Sequence, residues 1–133
     1  MTIPIASDME IMATKAATSM AESMRMSPDK VDEVKLAVVE ACINAFEHSH
    51  APDGLVHLSF AVLGRTEPSH LRITVRDHGR GFEPAEVETP LLEKKFTQSR
   101  KRGWGLKIIE GLMDEVIISS GGSGTTVVMS KAL

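Results

Sequence analysis

The sequence predicts an α+β fold in two layers, with helices on one face of a mostly antiparallel sheet. Two observations carry this. Val56, Leu58, Phe60 and Val62 alternate with polar residues, as do Leu71, Ile73 and Val75, and period-two alternation marks strands. Elsewhere apolar residues recur at helical spacing, and the elements run β-α-α-β-β-loop-α-β-β. Adjacent strands without a crossover helix between them pair antiparallel, and the helices then gather on one face.

The elements follow in order. Ile3 and Ile5 fit a short first strand. Ser7 with Glu10 reads as a capping box, so a helix should start there. Its apolar stripe is Met9, Met12, Ala13, Ala16, Ala17, Met20 and Met24, which reads as core or as a surface for a homodimer. Ser27-Pro28-Asp29 supplies an N-cap, a proline at the first helical position and a first-turn acid. The helix it opens should reach about Ser49, where Pro52-Asp53-Gly54 breaks the chain. The strands of Val56–Val62 and Leu71–Val75 follow, joined by Gly64-Arg-Thr-Glu-Pro-Ser69. From Phe82 to Gly103 there is no clear period. A short helix fits Trp104 to Met113, and Val116–Ser119 with Thr126–Met129 reads as a closing hairpin across Gly121-Gly122-Ser123-Gly124.

Composition excludes several classes. The 133 residues, 42% apolar and 25% charged, suit one soluble domain spanning 1–133. No apolar run approaches the roughly 20 residues of a membrane span, and the N-terminus has no export signal, so a cytoplasmic protein without membrane contact is expected. A net charge of −3 argues against non-specific nucleic-acid binding. Cys42 is the only cysteine, which rules out an intrachain disulfide, and it falls on an apolar helix arc that makes it core. His48, His50, His57, His70 and His78 lack metal-ligand spacing with a carboxylate or cysteine. His48 and His50 flank Ser49, but at a helix end, a poor place for a hydrolytic triad.

The chemistry concentrates in three places. On the second helix Val31, Val34, Val38, Ala41, Cys42 and Ala45 share one arc, while Glu40, Asn44, Glu47 and His48 share the opposite one. A carboxylate one turn before an amide suits phosphoryl transfer. The amide oxygen of Asn44 is a neutral hard ligand for Mg²⁺, and Glu40 can take the proton of an attacking hydroxyl. The second place is Asp77-His-Gly79-Arg-Gly81-Phe82, just after a strand. Its glycines allow a tight turn and close approach of a ligand, and Asp77 can accept a hydrogen bond from an exocyclic amine such as that of adenine. The third is Gly103-Trp104-Gly105-Leu106 ahead of a helix, whose free N–H groups and positive dipole end favour phosphate. Lys94, Lys95, Arg100, Lys101 and Arg102 crowd the loop before it, five of the chain's 15 basic residues.

These three motifs resemble, in order, the N, G1 and G2 boxes of the GHKL, or Bergerat-fold, ATPases, and most nearly those of the bacterial anti-sigma-factor serine kinases. Val38-Val-Glu-Ala-Cys-Ile-Asn-Ala-Phe-Glu-His48 is similar to their N box, and Val75-Arg-Asp-His-Gly-Arg-Gly-Phe82 to their G1 box. Gly103-Trp-Gly-Leu-Lys-Ile-Ile-Glu-Gly-Leu-Met-Asp-Glu-Val116 is similar to their G2 region, and Gly124-Thr125-Thr126-Val127 to the last motif, near the adenine. The resemblance implies a Bergerat fold with a short ATP lid at about 83–102, binding of ATP or ADP with Mg²⁺, Glu40 as base, Asn44 on the metal and Asp77 on the adenine amine. It also implies two protein partners, a STAS-type anti-anti-sigma substrate and a sigma factor. Nucleotide contacts are then expected from Asn44, His48, Asp77, Gly79, Gly81, Phe82, Lys101, Arg102, Gly103, Trp104, Gly105, Leu106, Thr125 and Thr126. Lys101 and Trp104 depart from the family pattern, where an arginine and a smaller residue are usual. The alternative function is a nucleotide-gated binding module without catalysis, regulating a partner other than a sigma factor.

Overall fold

Leu71, Ile73 and Val75 form the middle of a five-stranded sheet and are essentially inaccessible to solvent. A computed structural model describes the backbone of residues 1–79 and 102–133, and the side chains of 1–79 and 105–133. The elements are β1 (Thr2–Pro4), α1 (Glu10–Ser23), α2 (Pro28–His48), β2 (Leu55–Leu63), β3 (His70–Asp77), α3 (Arg102–Leu112), β4 (Glu115–Gly121) and β5 (Gly124–Ala132). The order across the sheet is β1-β2-β3-β5-β4, and every pairing among the described residues is antiparallel. The expected layers are therefore present, with the three described helices on one face of the sheet.

The register explains the core. Ile73 lies opposite Phe60 on β2 and Met129 on β5, and Val75 opposite Leu58 and Val127. Directly opposed residues share a face, so one row of alternate positions turns to the helices. From the helical side come Val34, Val38, Ala41 and Cys42 of α2 and Leu106 and Ile109 of α3, all buried. Each fully buried large side chain, such as Leu58, Leu71, Ile73 or Ile109, contributes roughly 1.5–3 kcal/mol. The same row carries one cation inward. Lys131, opposite Leu71, is buried, pairs with Glu33 of α2 at 2.5 Å and donates to the Leu112 carbonyl at 2.6 Å. Those partners offset the cost of removing an ammonium from water, and they tie α2, the end of α3 and β5 together.

Three expectations need correction. Ser7 does not cap α1: the helix begins after Met9 with no side-chain cap. Asp8, at φ 69, takes the left-handed conformation and breaks the geometry that would put Ser7 three residues ahead of a helical N–H. The buried stripe of α1 is Ala13, Thr14, Ala17 and Ala21, while Met12 stands exposed. Thr14 is tolerated inside because its hydroxyl donates to the Glu10 carbonyl at 2.7 Å. Finally, α3 starts at Arg102 rather than Trp104. Gly103 and Gly105 thus lie inside its first turn, not ahead of it.

The second helix start is as the sequence indicates: Ser27 accepts the Lys30 N–H at 3.3 Å, with Pro28 at the first position. The last hairpin is longer than the alternation alone suggests and turns tightly between paired Gly121 and Gly124.

Candidate functional site

The helix-facing row of β3 ends in a carboxylate. Leu71, Ile73 and Val75 are followed two residues on by Asp77, which is also buried. An unpaired acid there would be costly, and part of the cost is met locally: Asp77 Oδ1 accepts the Gly79 N–H at 2.9 Å. That bond uses one carboxylate oxygen to hold the turn and does not engage the other.

Gly79 is constrained by packing. A Cβ there would fall 1.9 Å from the Ser49 carbonyl oxygen and 2.9 Å from Asp77 Oδ1. The turn after β3 is therefore pressed against the C-terminal end of α2. Gly124 does the same from the other side: it has φ 126, and a Cβ would lie 2.0 Å from the Asp77 carbonyl oxygen. Its neighbour Thr125 pairs with Asp77 across the β3–β5 ladder and is buried, with its hydroxyl 2.8 Å from that of Ser120. Two glycines thus let α2, β3 and β5 converge on Asp77.

α2 brings the other polar groups to this end of the molecule. Glu40 and Asn44, expected on a polar arc, are both buried, with 8% and 5% of their surfaces accessible. Burial separates them from Glu47, which is exposed on the same arc, and from half-buried His48, 3.6 Å from the Glu47 carboxylate. Asn44 Oδ1 is inaccessible to solvent and accepts no hydrogen bond from the described residues. Most buried acceptors in folded proteins find a donor, so this oxygen marks a place where a partner is expected. A neutral oxygen on a rigid helix, beside a buried carboxylate one turn away, fits a hard divalent cation.

α3 supplies a different group of atoms. Its first four N–H groups, from residues 102–105, have no acceptor within the helix. The N–H groups suited to an anion therefore belong to the first turn itself rather than to a preceding loop, and Gly105 and Leu106 there are buried.

The convergence on Asp77 thus joins Gly79, Gly124, Thr125 and the Ser49 end of α2, while Glu40 and Asn44 on α2 and Gly105 and Leu106 on α3 are buried on the elements that pack beside it. Thr126 is not brought in. It pairs with Arg76 and Ser119 on the outer face of the sheet, away from the helices. Arg102, Gly103 and Trp104 occupy the first turn of α3. Gly81, Phe82, Lys101 and the lid expected at about 83–102 lie outside the described residues, except for the backbone of Arg102. Sequence reasoning missed Gly124 as a packing residue, although it begins the motif containing Thr125. It also missed a group on the outer face: ligand atoms of Asp53, His57 and His78 lie within 4.8 Å of one another. Spacing along the chain did not reveal these three, because the β2–β3 register brings them together.

Cys42 is buried on the apolar arc of α2. Loss of solvation pushes its thiol from 9.0 up to about 12, with the Glu10 charge adding to the effect. It is neutral at physiological pH and has no part in the chemistry.

Residues 7–131 match the family model described as the histidine kinase-like ATPase domain. The chain is 38% identical over 109 residues to an anti-sigma F factor of Anoxybacillus flavithermus, covering 79% of this chain and 71% of that one. It is 33% identical over 122 residues to the serine-protein kinase RsbW of Bacillus subtilis, covering 87% and 73%. Among solved structures, the RsbU and RsbW domains of a Mycobacterium tuberculosis protein superpose with a TM-score of 0.67 at 20% identity, covering 98% of this chain and 31% of that one. The sensor histidine kinase MprB superposes at 0.53 with 15% identity, covering 99% and 96%. These two structures match in fold.

Proposed function

The chain belongs to the histidine kinase-like ATPase family, among relatives named anti-sigma factors and serine-protein kinases, and from that premise we propose that it is an anti-sigma-factor serine kinase. It uses ATP with Mg²⁺ to phosphorylate a serine of a STAS-type anti-anti-sigma protein, and it binds a sigma factor when that partner is phosphorylated. The observation that carries this reading is the pair on α2: buried Glu40 one turn before Asn44, whose side-chain oxygen lacks a donor among the described residues.

Each residue has a distinct task. Asp77 accepts the adenine amine through the oxygen that Gly79 leaves open. The first-turn N–H groups of α3 bind phosphate oxygens, with Lys101 and Arg102 adding charge. Asn44 holds the metal through its amide oxygen. Mg²⁺, when bound, neutralises charge on the phosphates. Glu40 accepts the proton of the partner's serine hydroxyl as that oxygen attacks the γ-phosphorus and ADP leaves.

The test is transfer from labelled ATP to a purified STAS partner identified by pull-down from the native cell, with the phosphoserine located by mass spectrometry. Stoichiometric, Mg²⁺-dependent transfer is expected. Nucleotide binding without transfer to the true partner would replace the kinase with a nucleotide-gated binding module.

A further inference from the structure

On the face of the sheet away from the helices, three residues distant in sequence come together. Asp53 precedes β2, His57 lies within it, and His78 follows β3. One potential ligand atom from each lies within 4.8 Å of the other two. The two imidazole rings stand edge to face, 5.1 Å between centroids and 68° between planes. The register brings this about: His57 lies opposite Arg76, so His78, two residues on, falls on the same face diagonally across the ladder.

We propose that Asp53, His57 and His78 bind a divalent transition cation of the zinc class. The donor set is two imidazoles and a carboxylate, which suits borderline cations far better than Mg²⁺ or Ca²⁺. Bonds to zinc of about 2.0–2.1 Å place ligand atoms about 3.3 Å apart in a tetrahedron. The three side chains therefore need to draw in by no more than about 1.5 Å, and Asp53 and His78 are exposed.

Two further contacts pre-arrange the site. Thr2 Oγ1 lies 3.0 Å from His57 Nδ1, across the β1–β2 pair. With the proton on Nδ1 donated to that hydroxyl, Nε2 presents its lone pair, the outer contact that fixes tautomer and ring direction in metal sites. Asp53 Oδ1 accepts the Leu55 N–H at 3.0 Å, which holds the carboxylate at the mouth of the strand and leaves Oδ2 for the cation. Three protein ligands leave one tetrahedral position open to water. His78 sits between Asp77 and Gly79, so an occupied site fastens the turn that carries Asp77 to β1 and β2 from the opposite face of the sheet.

Calorimetric titration of Zn²⁺ into the full-length, tag-free, nucleotide-free protein tests this. One zinc per chain is expected. His57→Ala and His78→Ala should each weaken binding at least about tenfold, the lower end of the losses seen even for outer contacts of metal sites. Asp53→Asn keeps an acceptor for Leu55 and removes the charge, so it should also weaken zinc while leaving the melting temperature of the metal-free protein unchanged. His70→Ala, at the other end of β3, should bind zinc as wild type does. Co²⁺ in place of zinc should give the visible absorption of a low-coordinate site, lost in His78→Ala. The proposal is overturned if the wild type takes up no zinc, if both cluster histidine variants bind it unchanged, or if His70→Ala loses as much affinity as they do.

Discussion

The Cβ position of Gly79 lies 1.9 Å from the carbonyl oxygen of Ser49, at the C-terminus of α2. No side chain fits there, so Asp77 stays buried beside α2 only while residue 79 is glycine. Gly79→Ala should destabilise the fold by about 1–3 kcal/mol, the cost of overpacking against backbone that cannot swing aside, and should weaken ATP more than that loss of stability explains. Gly111 gives the opposite sign. It lies in α3 with open space around it, so Gly111→Ala should stabilise by about 0.5–1 kcal/mol. Urea denaturation of both variants checks the pair, and equal effects would refute the packing argument.

Asp77→Asn separates recognition from folding. The amide oxygen can still accept from Gly79, so the melting temperature should change little. The second oxygen becomes a donor that opposes the adenine amine. Titration calorimetry should show ATP weakened about tenfold or more, a loss of at least about 1.4 kcal/mol. GTP, with a carbonyl where ATP has its amine, should bind the wild type poorly. Equal ATP affinity in mutant and wild type would make Asp77 a turn residue only.

What could be read from the chain was what is decided locally. Ser27, Pro28 and Asp29 fix the start of α2 from adjacent residues, and the alternation of Leu71, Ile73 and Val75 needs no partner to be visible. Asp77 stands out through its own motif, Asp77-His-Gly79-Arg-Gly81, whose glycines lie close to it in sequence. The missing parts depended on contacts or backbone angles that hydrophobic pattern does not encode. Thr125 and Thr126 are equivalent in sequence, and only the pairing of Asp77 with Thr125 decides which faces the helices. Thr14 belongs to the core because its hydroxyl turns back to Glu10, so a scan for apolar residues passes over it. Gly79 was recognised as a turn glycine, but its collision with Ser49, 30 positions earlier, exists only after folding.

Asn44→Ala should have opposite effects on function and stability. It removes a buried oxygen that has no donor among the described residues, so the nucleotide-free protein should be as stable as wild type or more so, despite the lost packing. The advantage of Mg²⁺ over EDTA for ATP affinity should disappear. Thermal shift with and without Mg²⁺ measures both. Retained Mg²⁺ dependence would remove Asn44 from the metal.

Cys42 sets an alkaline limit on stability. Its folded pKa, about 12, lies above its ordinary 9.0, so folding favours the protonated thiol. This contribution is fully present below pH 9 and is lost as the pH rises toward 12. Three pH units correspond to about 4 kcal/mol at most. In Cys42→Ala, stability should therefore fall less steeply between pH 9 and 12 than in wild type, and the wild-type thiol should resist alkylation at pH 7.5 until the protein unfolds. Parallel pH profiles by denaturant titration check the first point. Matching slopes would show that the thiol does not govern the limit.

Glu40 decides between catalysis and gated binding. It is buried on α2 one turn before Asn44, the proposed metal ligand, but remote in sequence from the Asp77 turn that would hold the adenine. Glu40→Gln keeps its size and removes the oxygen that can accept a proton. Nucleotide affinity should stay within a few-fold, and partner binding should survive. Single-turnover transfer to the partner's serine should fall by roughly 10²–10⁴, the range for one general base. Phosphoryl transfer depends chiefly on positioning and charge, so the lower end of that range is the sharper expectation. If the amide variant transfers phosphate at the wild-type rate, Glu40 is not the base, and its burial beside Asn44 serves only to shape the metal site.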